Sequence, residues 1–192
     1  ARRLGAIVEG YDVRAATREQ VESLGAKFID IDIAAEGSGG YARELTDAEK
    51  QQQQAVLAEH IAAADVVITT AALPGRPSPK IIPASMVDAM KPGSVVIDLA
   101  AEGGGNCELT QAGEQLDHNG VIVYGPLEVP SMLAVHASEM YAKNLLNFLT
   151  PMIRDGQLAP NWDDEVIAGS ALTHAGEIRH EPTRSLVEGG PS

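Results

Sequence analysis

The chain has 192 residues, of which 44% are apolar, 21% charged and 4% aromatic, and its formal net charge is −13 at pH 7. That size suits one domain better than two, and the balance is that of a folded protein with an aliphatic core. The negative charge argues against nucleic acid as a partner, and the single cysteine, Cys107, excludes an internal disulfide and fits a reducing compartment.

From the amino terminus, residues 1–4 read as a helix tail stopped by Gly5. The runs AIVEGYD (6–12), FIDI (28–31), VVITTA (66–71), SVVIDLA (94–100) and VIVYG (121–125) have strand length and many β-branched residues. Several are almost continuously apolar, the pattern of strands buried on both faces. Between them lie helix candidates. Thr17 and Gln20 have capping-box spacing before a helix over 17–24, and Thr46 and Glu49 repeat it before a helix over 46–64. A helix over 83–90 has Pro83 near its first turn. The stretch 130–153 reads as one long helix with a wide apolar stripe, from Leu133 to Leu149. Beyond Pro160, two short strands flank a turn at Ala175-Gly176, and 185–192 reads as a frayed tail. The QQQQ run at 51–54 falls in a helical pattern and reads as its solvent face.

Strand-helix-strand alternation predicts an α/β fold with a parallel, doubly wound, Rossmann-like sheet. In such a fold, an acid closing the second strand stands about 20 residues beyond a G-x-G-x-x-G loop. Asp12 has 11 residues before it and no such loop among them. The expectation is therefore a sheet lacking its first strand and glycine loop, with residues 1–129 forming a partial NAD-binding domain. Residues 130–192 read as a long helix, a hairpin and a tail. Several of their apolar residues need a partner from outside the chain.

Asp12 is the first candidate for chemistry. A carboxylate at a strand's carboxyl end can accept both hydroxyls of a ribose, at about 1.5–3 kcal/mol per charged hydrogen bond. It would repel a 2′-phosphate by ~4 kcal/mol per charge pair at an effective dielectric near 20. Asp12 would so select NAD over NADP, although Arg14 could offset this by meeting a phosphate. Capping of a turn before helix 17–24 is the structural alternative for Asp12.

GSGGYA (37–42) matches G-x-G-x-x-A, but DIAAE separates it from the strand at 28–31, so it does not present amides to a pyrophosphate. A mobile loop hinged at Gly37, Gly39 and Gly40, with Tyr41 able to fold over a ligand, fits better; a plain surface loop remains the alternative. The proline-stiffened TTAALPGRPSPKII (69–82) and the glycine-rich DLAAEGGGNCELT (98–110) each follow a buried strand, where binding groups commonly sit. The second offers Asp98, Glu102, Asn106 and Cys107 as polar groups. No histidine lies nearby, which argues against a metal, and Cys107 lacks a visible base. His136 and His174 read as surface or hydrogen-bonded histidines.

RRLGAIVEGYDVRAATREQVESLGAKF, GGYA, ITTAALPGRPSPKII, MKPGSVVIDLAAEGGGNCELT and ASEMYAKNLLNFLTP resemble the NAD(H)-binding domain of proton-translocating NAD(P) transhydrogenases, alpha subunit. The likeness spans essentially the whole chain, and it implies a glycine-rich loop upstream of residue 1 and a second, mostly missing domain, to which the helix, hairpin and tail of 130–192 would belong. It makes Asp12 the ribose acceptor, with Val13 and Arg14 beside it at the adenosine end. Gly40 and Tyr41 fall in the family's mobile loop, and Ala71 and Ala72 lie near the nicotinamide carboxamide. The implied activity is hydride transfer from NADH to NADP⁺ held by an NADP-binding beta subunit, coupled to proton translocation by a membrane domain. Such transfer needs no side-chain acid or base, so no catalytic residue is assigned, and no metal. The family also implies a homodimer, peripheral on the inner face of the bacterial plasma membrane. The 192 residues alone are expected to be inactive and to bind NADH several decades more weakly than the parent. Alanine dehydrogenase, which shares the fold but carries Asp where this chain has Glu102, is the competing enzyme. A non-catalytic NAD-binding module is the competing role outside enzymes.

Overall fold

The computed structural model describes residues 1–31, 45–73 and 76–189, with the backbone only at Ala15. They divide into two compact units, Ala1–Val129 and Pro130–Ser192. In the first, a 3₁₀ turn (Arg2–Leu4) leads to β1 (Glu9–Gly10), a second 3₁₀ turn (Ala15–Thr17), α1 (Arg18–Ser23) and β2 (Lys27–Phe28). Then follow α2 (Asp47–Ala63), β3 (Val66–Thr69), α3 (Ala84–Asp88), β4 (Val95–Asp98), β5 (Gln115–His118) and β6 (Val121–Tyr124).

The α/β alternation and the parallel sheet are as expected. β3, β4 and β6 are parallel neighbours, with Thr69 opposite Asp98 and Ile97 opposite Tyr124. β1 and β2 form a separate parallel pair, Glu9 opposite Lys27, extended by the bond from Ile29 N to Gly10 O. β5 was not anticipated: it runs antiparallel to β6 at the sheet edge, and Asn119 and Gly120, both at positive φ, make the tight turn between them. An Asn-Gly pair is the sequence sign of such a hairpin, because both central residues need φ above zero.

One core serves both strand sets. Ile29, Leu57 and Ile61 join Ile82, Val87, Val96, Val121 and Val123 in a single buried cluster. β4 and β6 bury or half-bury every residue, as two-sided coverage predicts, whereas β3 leaves Val66 and Ile68 more than half exposed. Alternate residues of a strand face opposite sides, so this face of β3 is uncovered among the described residues.

Helix ends explain other departures. At Thr46 the capping box forms: Glu49 N donates to Thr46 Oγ1 and Thr46 N donates to Glu49 Oε2. At Thr17 it does not, because Thr17 is itself helical and its hydroxyl donates to Arg14 O. Gln53 is not on the solvent face. It is buried, and its amide donates to Tyr11 Oη at 2.9 Å.

The second unit carries α4 (Val129–Met132), starting at the boundary, α5 (Ala134–Leu149), a 3₁₀ turn (Thr150–Met152), β7 (Ile153–Arg154) and β8 (Gln157–Leu158). α6 (Glu165–Ser170), β9 (Thr173–His174), β10 (Glu177–Ile178) and α7 (Glu181–Glu188) complete it. The single long helix is thus two, interrupted at the non-helical Leu133, and it stops before Pro151, which lacks an N–H to continue it. The hairpin turns at Ala175-Gly176 as expected, but residues 165–170 are helical because the Asp164 carboxylate caps Val166 N and Ile167 N. Residues up to 188 of the supposed frayed tail lie in α7. No residue of α5 is buried, and Met140, Tyr141 and Leu146 are about two-thirds exposed.

Candidate functional site

Asp12 stands two residues beyond β1, at its carboxyl end. Its neighbours Tyr11 and Val13 both pack on the core cluster, and Asp12 between them is itself half-buried. The carboxylate is 28% exposed. Its Oδ1 accepts from Arg14 N and Nε, each at 2.9 Å, and its Oδ2 accepts from the other arm of the Arg14 guanidinium at 2.7 Å. The backbone bond is an Asx turn, so the turn-capping reading of Asp12 is also correct. Burial raises the carboxyl pKa, but the hydrogen bonds and charge of Arg14 outweigh it and hold the group below its usual range. Asp12 is therefore ionised at neutral pH, held among the described residues by Arg14, and reachable from solvent.

The loops after β3 and β4 leave the same end of the sheet and are stitched into one rim. Ser78 N donates to Gly103 O, and Ile81 N and Ile82 N both donate to Asn106 O. Lys80 Nζ adds bonds to the carbonyls of Gly104 and Cys107. At the centre is Asp98, fully buried, whose Oδ2 accepts from Asn106 N, Cys107 N and Thr110 Oγ1 while Oδ1 accepts from Ala100 N. Burial pushes this carboxyl up; the donors at Cys107, Thr110 and Ala100 bring it below the usual carboxylate range. Thr69 also lowers it, although its buried hydroxyl lies outside hydrogen-bond geometry. Gly105, at φ +80°, is required here, since a Cβ would stand 2.6 Å from Asp98 Oδ2.

Between these loops opens a cleft of about 570 Å³, lined by Ala72, Leu73, Arg76, Ser78, Leu99 and Glu102 among others. Its size lies in the range of small-molecule sites, and it stands outside the carboxyl ends of parallel strands, where open α/β sheets bind ligands. Walls that combine apolar side chains with an Arg and a Glu suit a flat, amide-bearing ring, and Asp12 suits a sugar diol. Taken separately, the Asp12 carboxylate can accept from ribose hydroxyls, and the cleft has the size and mixed lining of a small-ligand site. Ala72 lines the cleft, and Ala71 lies directly behind it in the chain. Gly40 and Tyr41 lie outside the described residues, as do Gly37 and Gly39.

The other candidates resolve simply. Cys107 is fully buried, and burial pushes its thiol up, the opposite of an activated nucleophile. His136 is exposed, and the His174 ring packs at 4.5 Å from that of Trp162. Among the described residues no group of three or more His, Cys, Asp or Glu could hold a metal, and no helix is long and apolar enough to cross a membrane. Sequence reasoning named Asn106 only as one polar group among four. Its pairing with Ala71 was not foreseen, and a buried Asn directly after three glycines was the available signal.

Known proteins share this architecture. An NAD(P) transhydrogenase subunit alpha polypeptide of Rhodospirillum rubrum is 47% identical over 186 residues, covering 94% of this chain and 48% of that protein. The crystal structure of transhydrogenase from Sinorhizobium meliloti superposes with a TM-score of 0.70 at 48% identity, covering 92% of this chain and 46% of that one. Alanine dehydrogenase 1 of Staphylococcus aureus is more distant, 30% identical over 129 residues, covering 65% of this chain and 35% of that protein. The chain thus spans about half the length of these two transhydrogenase relatives. The family described as alanine dehydrogenase/PNT, C-terminal domain, matches residues 1–181, and the chain belongs to it.

Proposed function

We propose that this chain is the NAD(H)-binding component of a proton-translocating NAD(P) transhydrogenase. Asp12 accepts the hydroxyls of the adenosine ribose, with Val13 and Arg14 beside it, and Ala71 and Ala72 border the nicotinamide. Gly40 and Tyr41 belong to the loop that closes on the nucleotide. The observation that carries this reading is the Asp12 carboxylate just beyond a parallel strand, 28% exposed, held ionised by Arg14. The higher identity to transhydrogenases than to alanine dehydrogenase favours the former chemistry.

Bound NADH supplies the hydride. The chain's own residues bind and orient it: Asp12 anchors one end, and the rim built on Asp98 and Asn106 shapes the cleft at the other. Positioning and exclusion of water are their whole task, and no side-chain acid or base is assigned. The acceptor, NADP⁺, sits on a beta subunit, and a membrane domain couples the exchange to proton passage. The protein works as a homodimer, peripheral on the inner face of the bacterial plasma membrane.

The test is turnover by the native polypeptide mixed with the NADP-binding subunit. Reduction of an NADP⁺ analogue that depends on both NADH and that subunit is expected. Alanine-dependent reduction of NAD⁺ by the polypeptide alone would replace this reading with an amino-acid dehydrogenase.

A further inference from the structure

Asn106 is fully buried, and its side chain joins the two rim loops through three hydrogen bonds. Its Oδ1 accepts from Ala71 N at 2.9 Å, and its Nδ2 donates to Ala71 O at 2.8 Å and Pro79 O at 2.9 Å. Both backbone polar groups of Ala71 are thereby satisfied, as a neighbouring strand would satisfy them in an antiparallel pair. The strand ladder itself ends earlier: Thr69 is the last residue of β3, and its carbonyl accepts from Leu99 N. Past that point Asn106 takes the place of a strand. Ala72, next in the chain, makes no hydrogen bond among the described residues and lines the cleft.

Asn106 is in turn held from behind. Its own N–H donates to Asp98 Oδ2 at 2.6 Å, and Thr110 Oγ1 donates to the same oxygen at 2.6 Å. A chain of hydrogen bonds therefore runs from Thr110 through Asp98 and Asn106 to the backbone of Ala71. Each link is buried or half-buried, where an unpaired partner is costly and the geometry is correspondingly well defined.

We propose that Asn106 is a positioning residue for the nicotinamide half of the dinucleotide, setting the Ala71–Ala72 backbone against which that half lies, with Asp98 and Thr110 holding Asn106 in place. The proposal rests on the NAD-binding reading above and assigns Asn106 to one end of the ligand only. It touches no substrate. It acts through Ala71.

The test compares NADH with ADP-ribose, which lacks the nicotinamide, by calorimetric titration of the native polypeptide. Asn106→Ala is expected to weaken NADH at least about tenfold while leaving ADP-ribose within about twofold. Thr110→Val keeps the side chain's shape and removes one bond to Asp98, so it is expected to weaken NADH about threefold with ADP-ribose unchanged. Should Asn106→Ala fail to fold, Thr110→Val decides by the same split. Unchanged NADH affinity, or equal loss of both ligands, would overturn the proposal. Wild-type protein that binds neither ligand would overturn the NAD-binding reading itself, and the positioning role with it.

Discussion

Two aspartates follow parallel strands in the first unit, and their surroundings differ in every respect that matters. Asp98 ends β4 with no exposure and accepts from three backbone N–H groups and a hydroxyl. Asp12 lies just past β1 with its side chain 28% exposed, and among the described residues its hydrogen bonds come from Arg14. Both are ionised, yet only one is available to a ligand. A ligand could compete for Asp12 by replacing the two bonds from the part-exposed Arg14 guanidinium while the bond from Arg14 N stays in place. Displacing the donors of Asp98 would unmake the rim. Position at a strand end does not distinguish a binding acid from a building acid; burial and the number of fixed donors do.

The largest effect that would break this comparison is on stability. Asp98→Asn replaces an acceptor oxygen by a donor group among converging N–H groups, and each buried donor left unpaired costs about 1–3 kcal/mol. A loss of at least about 3 kcal/mol is expected, read from the urea midpoint and slope. An unchanged midpoint would mean that Asp98 holds nothing together.

Acid sharpens the contrast further. The folded pKa of Asp98 is depressed, so its contribution is complete above its unfolded value of about 4 and is lost as pH falls through the folded value. Urea midpoints between pH 5 and pH 2 are expected to fall more steeply in the wild type than in Asp98→Asn. Equal slopes would assign the acid loss to other carboxylates. The smallest effect is the stability change in Asp12→Asn, under about 1 kcal/mol because the pair with Arg14 is partly exposed and local. A larger loss would make Asp12 a building acid too.

The fold was legible where apolar runs and helix signals agreed. β3, β4 and β6 fell within their predicted runs, and the Thr46 capping box formed because its N3 residue, Glu49, lies at the true first turn of α2. The same spacing failed at Thr17, since a 3₁₀ turn had already begun at Ala15. β5 escaped because QLDH carries only one strongly apolar residue; the Asn-Gly turn after it was the stronger sign. Gln53 was misread for a different reason. Four consecutive glutamines cannot all face water on a helix, and the one that turns inward is set by a tertiary partner, Tyr11. In the site, Asp12 could be read from its place after a strand. The Asp98–Asn106–Ala71 connection could not, because Ala71 and Asn106 stand 35 positions apart and meet only once the two loops have come together.

Coenzyme discrimination tests the role of Asp12 most directly. NADH and NADPH should be titrated into the native polypeptide and into its Asp12→Asn variant. A 2′-phosphate brought against an ionised carboxylate is disfavoured by ~4 kcal/mol per charge pair, so the wild type is expected to prefer NADH about a hundredfold or more. The variant should lose at least about tenfold of that preference. Equal affinities in the wild type, or a preference untouched by the substitution, would contradict the assignment of residue 12 to the ribose.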